Sequence, residues 1–114
     1  MAGIGGQLDR VAAWLDAAAL RQRVLAQNIA NVNTPGYERR DVSFDALLEA
    51  ARSGGPSPEA RVFVDRDARA GADGNSVEIE REMGELMGNG LLYQTLARVA
   101  SLRIQQLRTA IGGR

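Results

Sequence analysis

At both ends of this 114-residue chain, apolar side chains recur at alternating intervals of four and three, a spacing that commits the termini to long amphipathic helices. The first series runs Ile4, Leu8, Val11, Leu15, Ala18, Leu25, Ile29 and Val32, with Gln22 as its only polar member. The second runs Ile79, Met83, Leu86, Gly90, Tyr93, Ala97, Ala100, Ile104, Leu107 and Ile111 without a polar interruption. The spacing therefore predicts a mainly α protein in which coiled-coil helices form an antiparallel pair around a small irregular, β-containing middle. The boundaries follow at 1–37 for the first helix and its turn, 38–75 for the middle segment and 76–114 for the C-terminal helix. Gln22 either specifies helix register, as an isolated polar seam residue can, or faces solvent at a helix crossing.

The first helix has a marked stop. Asn28, Asn31 and Asn33 are weak helix formers, and Pro35 pushes Thr34 out of the helical region, so the helix should end near residues 31–33. Thr34-Pro35-Gly36-Tyr37 then has the chemistry of a type II turn, with Pro35 presetting φ at the second position and Gly36 supplying the positive φ of the third. Asn28 and Asn31, one turn apart, are suited either to hydrogen bonds with neighbouring subunits or to fraying the helix end.

The middle segment is the least periodic. Val42 and Phe44 alternate as in a short strand, Asp45 to Arg52 suit a short helix, Ser53 to Pro58 a linker, and Val62 and Val64 a second strand. Asp73-Gly74-Asn75 is turn chemistry, and Asn75 with Glu78 is spaced as a helix N-cap pair. Glu78, Glu80, Glu82 and Glu85 then crowd the start of the second helix while Arg98, Arg103 and Arg108 lie toward its end, as the helix macrodipole favours.

Composition closes several functional classes. Fourteen basic and fourteen acidic residues cancel, every basic residue is Arg, and the only adjacent basic pair is Arg39-Arg40, so neither nucleic acid nor a lipid surface is an expected partner. The chain has no Cys and no His, which removes disulfides, thiolate and imidazole metal sites and His-based catalytic relays. Asp65, Asp67 and Asp73 lie in a stretch where Arg69 and Ala70 occupy positions a calcium loop needs for a ligand and for Gly, so no metal is expected. No catalytic arrangement, cofactor or small-molecule substrate is expected either. The early apolar run Val11 to Leu15 is too short for a signal-peptide core, so transport out of the cytoplasm would use another route.

Leu20, Val24, Leu91, Leu92, Leu96, Val99 and Leu102 lie off both seams. A two-helix hairpin alone would leave them as a second apolar surface in water, so the terminal helices are expected to become rigid only on packing against other copies or paralogues.

An N-terminal helix, the run Leu25-Ala-Gln-Asn-Ile-Ala-Asn-Val-Asn-Thr-Pro-Gly-Tyr37 and a long C-terminal heptad helix carrying Tyr93-Gln94 together resemble the bacterial flagellar axial proteins of the rod and hook. Within that superfamily, Arg40-Asp-Val-Ser-Phe-Asp-Ala-Leu-Leu48, Asp73-Gly-Asn75 and Leu107-Arg-Thr-Ala-Ile111 resemble the FlgB-type proximal rod subunits, with the FlgC type as nearest competitor and a cytosolic coiled-coil adaptor as the rival outside the family. The resemblance implies a non-enzymatic structural subunit of the basal-body rod in the periplasmic space, transmitting torque and exported uncleaved by the flagellar type III apparatus. Implied partners are other copies of itself, other rod proteins, and the inner-membrane ring with its rod adaptor. The expected site residues are Asn28, Asn31, Asn33, Thr34, Pro35, Gly36 and Tyr37 as an assembly turn. Leu8, Val11, Leu15, Leu25 and Ile29 are expected to form one packing seam, and Ile79, Met83, Leu86, Tyr93, Ile104, Leu107 and Ile111 the other. Phe44 with Leu48 is similar to the short motif by which such subunits engage the export gate, although packing of one short helix explains the same two residues. Gly84, Gly88 and Gly90 depart from the family pattern, implying a bend or a close-packed neighbour.

Overall fold

Helix α1 spans Ile4–Ala30 and helix α2 spans Ile79–Gly112, joined by a middle segment in which β1 (Arg40–Val42) pairs antiparallel with β2 (Val62–Val64). The register sets Arg40 opposite Val64, Asp41 opposite Phe63 and Val42 opposite Val62. This computed structural model of the chain describes residues 4–46, 49 and 62–112. Contacts between the helices run in opposite directions along the two sequences, Asn28 meeting Glu82 and Gln22 meeting Asn89, so the pair is antiparallel. The molecule is correspondingly elongated, 63 × 27 × 16 Å.

Helix α1 stops where its sequence predicts. Residues 31–33 form turns, and the Thr34 carbonyl accepts the Tyr37 N–H at 3.2 Å while Gly36 takes φ 76°, closing the type II turn. The β1 strand is shorter than the sequence alternation suggests. Phe44 does not extend it, because the Ser43 hydroxyl accepts the Ala46 N–H at 3.2 Å and caps a helical turn beginning at residue 44. Most of the expected 45–52 helix, the Ser53–Pro58 linker and Leu48 of the candidate export motif lie outside the described residues.

Helix α1 buries two faces. Ala18 and Leu25, both from its seam, are fully buried, while Ala17, Leu20 and Val24 form a core cluster with Val42, against which Phe44 and Val62 pack. Trp14 stacks on Phe44 with ring centroids 5.5 Å apart. Leu20 and Val24, which a two-helix hairpin alone is expected to leave in water, are thus covered by residues of the two-stranded ribbon. Leu92, Leu96 and Val99 are half-buried, whereas Leu91 and Leu102 do face solvent.

Helix α2 meets α1 through a stripe displaced by one residue from its apolar seam. Glu82 and Asn89, seven residues apart and each one position before a seam member, are buried, while Met83, Tyr93, Ile104 and Ile111 are exposed in the single chain. Ile79, Leu86 and Leu107 are half-buried, as are Leu8, Val11, Leu15 and Ile29 on α1. The polar stripe wins because it has fixed partners across the interface. Asn89 donates its amide to the Ala18 carbonyl at 2.8 Å and to Gln22 Oε1 at 2.7 Å, so the polar seam residue of α1 pins register from inside the interface.

Candidate assembly site at the turn

The turn that ends α1 is built into a hydrogen-bonded knot with the loop preceding α2. Gly36 donates its N–H to the Asp73 carbonyl at 2.9 Å, and Ser76 donates its N–H to the Tyr37 carbonyl at 3.0 Å. Gly74 has φ 81°, and a Cβ there would lie 3.4 Å from Gly36 Cα, so the two loops touch backbone to backbone at a pair of glycines. Asn75 clasps the knot. Its amide donates to the carbonyls of Asn31 and Thr34 at 2.8 and 2.7 Å, and its Oδ1 accepts the Val77 N–H at 2.7 Å. The expected Asn75 and Glu78 N-cap pair is thus not formed: α2 begins only at Ile79, and the Asn75 side chain is spent on the chain's other end.

Asn28 is the interior anchor. It is wholly buried, donates to the Arg40 carbonyl at 2.8 Å and to Glu82 Oε1 at 2.7 Å, and accepts from the Arg40 N–H at 3.0 Å and the Tyr37 hydroxyl at 3.4 Å. All its bonding capacity is satisfied within the chain, so it neither frays the helix end nor is free for a neighbouring subunit. Asn31 closes locally, donating to the Gln27 carbonyl and accepting from the Thr34 hydroxyl. Asn33, Thr34, Pro35 and Gly36 form the exposed rim of the turn, and Tyr37 is half-buried beneath it.

Directly below lies an ion cluster for which the sequence reading had no place. Arg39 is fully buried and spreads its guanidinium over four carboxylates: Nε to Glu82 at 2.9 Å, Nη1 to Asp65 at 2.6 Å, and Nη2 to Glu85 at 3.0 Å and Asp41 at 3.5 Å. Its N–H also donates to the Ser76 hydroxyl at 2.9 Å. Arg21 adds a bond to Asp41 at 2.8 Å and a contact to Glu85, and Arg81 reaches Asp65 and Glu85 from the rim. The Arg39 guanidinium thereby ties β1 and the residue that follows β2 to α2, and Arg21 joins α1 to the same carboxylates.

Burial opposes the charge on Arg39, but its hydrogen bonds to Glu82 and Asp65 outweigh that penalty and hold its pKa above the ordinary arginine value. Burial likewise opposes the charges of Asp41 and Asp65. The Arg21 guanidinium prevails at Asp41 and that of Arg39 at Asp65, so both carboxyls sit below the ordinary aspartate value. A depressed folded-state pKa means that the unfolded chain binds more protons as the pH falls. Stability from these two groups is full above about pH 4 and declines below it as the pH approaches their folded-state values. A thermal melt followed by circular dichroism is therefore expected to be flat between about pH 8 and 5 and to lose midpoint steeply below about pH 4. Raised salt alone should have a smaller effect, because buried pairs are poorly screened.

The sequence model of the flagella basal body rod protein family matches residues 15–37, the lower half of α1 and the whole turn. The chain is 34% identical to the flagellar basal body rod protein FlgB of Cereibacter sphaeroides, over 99% of both chains. It belongs to the FlgB family of flagellar basal body rod proteins. It is also 32% identical to the FlgB of Bacillus subtilis, over 99% of this chain and 98% of that one, and 34% identical to the FlgB of Aquifex aeolicus, over 82% and 83%. Membership in the FlgB family thus extends beyond the turn motif to the ribbon and α2, the parts that hold the turn in place.

The described part of the candidate export motif, Phe44, is packed against Trp14 and the core cluster. Among the described residues there is no cluster of acidic, His or Cys side chains able to hold a metal, and no helix long and apolar enough to cross a membrane.

Proposed function

We propose that the chain is a non-enzymatic structural subunit of the proximal rod of the flagellar basal body, in the periplasmic space, assembling through its terminal helices and transmitting torque along them. The observation that carries this reading is the pre-built turn. The Asn/Thr-Pro-Gly-Tyr motif is locked from inside by Asn28, Asn75 and the Arg39 cluster, while its rim, residues 33–36, is left exposed. An element fixed in this way holds the angle between α1 and the middle segment when neighbours load the helices. Its partners in this reading are other copies of itself, other rod proteins, and the inner-membrane ring with its adaptor, after export through the flagellar type III apparatus. The exposed seam residues Met83, Tyr93, Ile104 and Ile111 support such a role, since an isolated chain gains nothing from them in water.

The test separates folding from assembly. Pro35→Ala with Gly36→Ala removes the preset φ and places a side chain at positive φ, in a position where a Cβ meets nothing within 4 Å. Each change costs about 1 kcal/mol, which leaves a folded protein with a loosened turn. Expression and circular dichroism are expected to be near normal, with swimming and recovery of the subunit in purified basal bodies strongly reduced. Normal swimming would remove the turn from the assembly mechanism, and absence of the unaltered chain from basal bodies would remove the rod reading.

A further inference from the structure

Two neighbouring rows of α2 compete for α1. The row that faces α1 runs from Glu82 and Asn89, both buried, to Leu96 and Arg103, both half-buried, and Leu96 is its only apolar member. The row one residue later, Met83, Gly90, Ala97, Ile104 and Ile111, has no polar side chain, yet all of it except Gly90 is exposed. Adjacent rows lie about 100° apart around a helix, and Leu86, Ala100 and Leu107 run between these two and border whichever one faces α1. A roll of about 50° therefore exchanges them. With Glu82 held by the Arg39 cluster, a roll spread over about two heptads amounts to about 4° per residue, a small change in helix winding. Packing does not oppose it. Gly84 and Gly88 have nothing within 4 Å of an added Cβ, and the helices leave a hollow of about 430 Å³ lined by Ala19, Gln22, Arg23, Gly90, Tyr93 and Gln94. Among the described residues, only the Gln22 amide comes within 4 Å of a Cβ built on Gly90, at 3.9 Å. Apolar burial alone favours the second row.

The first row is held by the Gln22 and Asn89 pair, and at a cost. Asn89 is 2% exposed, and among the described residues its Oδ1 is the one buried side-chain polar atom without a hydrogen-bond partner. Its amide meanwhile serves Gln22 and the Ala18 carbonyl. Apolar side chains at both positions would leave nothing of the pair unsatisfied, so stability alone does not account for the two amides. We propose that Gln22 and Asn89 are positioning residues that fix the rotation of α2 and hold Met83, Ala97, Ile104 and Ile111 away from α1. The pair gives up stability to exclude the rolled arrangement, in which the chain buries that row against itself. The consequence for assembly, that the row stays available to neighbouring subunits, rests on the rod-subunit reading. The rotation is a property of the single chain.

The chain has no cysteine, so an introduced thiol reports the rotation through its access to reagent. Ile104→Cys, on the outward row, and Leu96→Cys, on the row facing α1, are each made in the parent and in a Gln22→Leu, Asn89→Ala background, and labelling of the purified chain by a soluble maleimide is timed. Loss of the pair is expected to slow labelling at residue 104 severalfold and to speed it at residue 96, with a urea midpoint no lower than the parent's. Gln22→Glu keeps the acceptor that the Asn89 amide meets at 2.7 Å and should label like the parent at both positions. Faster labelling at both positions with a lowered midpoint would show that the pair merely holds the helices together. Unchanged labelling at both would show that the Arg39 cluster sets the rotation alone. Either result overturns the proposal, and if the double variant does not fold, Gln22→Leu alone carries the same test, since it removes the acceptor and completes the apolar seam of α1. In cells, the double variant is expected to be depleted from basal bodies, and full recovery there would overturn the assembly role. Absence of the unaltered chain from basal bodies would instead overturn the rod reading and leave the rotation standing.

Discussion

Arg39→Ala is expected to destabilise the folded chain by about 3–5 kcal/mol, the cost of leaving a buried carboxylate without its cation. The magnitude follows from where the charges sit. Glu82 is fully buried and receives two of its hydrogen bonds from Arg39, so removing the guanidinium strands it in a medium that solvates charge poorly. Asp41, Asp65, Glu82 and Glu85 would then share only Arg21 and Arg81. Against the 5–15 kcal/mol typical of a native domain, such a loss is a large fraction of the whole. Urea denaturation followed by circular dichroism would measure it directly. Arg39→Lys should recover only part, since an ammonium cannot satisfy Glu82, Asp65 and Glu85 in one planar fork. Arg39→Met with Glu82→Leu should recover most of the stability by removing both buried charges together. An Arg39→Ala protein within about 1 kcal/mol of the parent would show that water reaches Glu82 and that the cluster is a surface feature.

The sequence exposed the skeleton of this fold and concealed its centre. Two helices, their direction, the stop at residues 31–33 and the type II turn are local consequences of spacing, Pro35 and Gly36, and local rules are what a sequence displays. The face by which α2 meets α1 is not local. Apolar periodicity selects Met83, Gly90 and Tyr93, yet the interface uses Glu82 and Asn89, one residue earlier, because Asn28, Arg39 and Gln22 await them from elsewhere in the chain. A charged residue in a helix is ordinarily a solvated one, so nothing in the helix itself marks Glu82 as interior. Two weak signals exist. Arg39 and Asp41 alternate with period two at the entry to a strand, which sets both on one face, and Glu82 and Asn89 form a polar heptad pair beside the apolar one. The same non-local pairing explains Asn75, whose spacing from Glu78 suits a cap but whose amide is claimed by carbonyls more than forty residues away.

Asn28→Asp is expected to have an effect of comparable size from the smallest change in shape. The substitution replaces an amide N–H₂ by an oxygen at the point where Asn28 donates to Glu82 at 2.7 Å and to the Arg40 carbonyl at 2.8 Å. Both donors vanish, two acceptors are left facing a third, and two carboxyl groups share one buried site, where both cannot ionise. At neutral pH one of the pair must bind a proton, at a cost that rises with pH, or the helix end must open. The prediction therefore has a sign that distinguishes it from ordinary destabilisation. The parent is least stable in acid because Asp41 and Asp65 are depressed, whereas the Asn28→Asp carboxyl pair holds a proton in the folded state that the unfolded chain releases above about pH 4, so its deficit narrows as the pH falls toward that value. Melting midpoints of the two proteins should diverge from about pH 5 to pH 8, and an Asn28→Ala control, which loses the same donors without adding charge, should show a deficit independent of pH over that range. A pH-independent deficit for Asn28→Asp would mean that Arg39 neutralises both carboxylates and that Asn28 acts at the turn through shape alone.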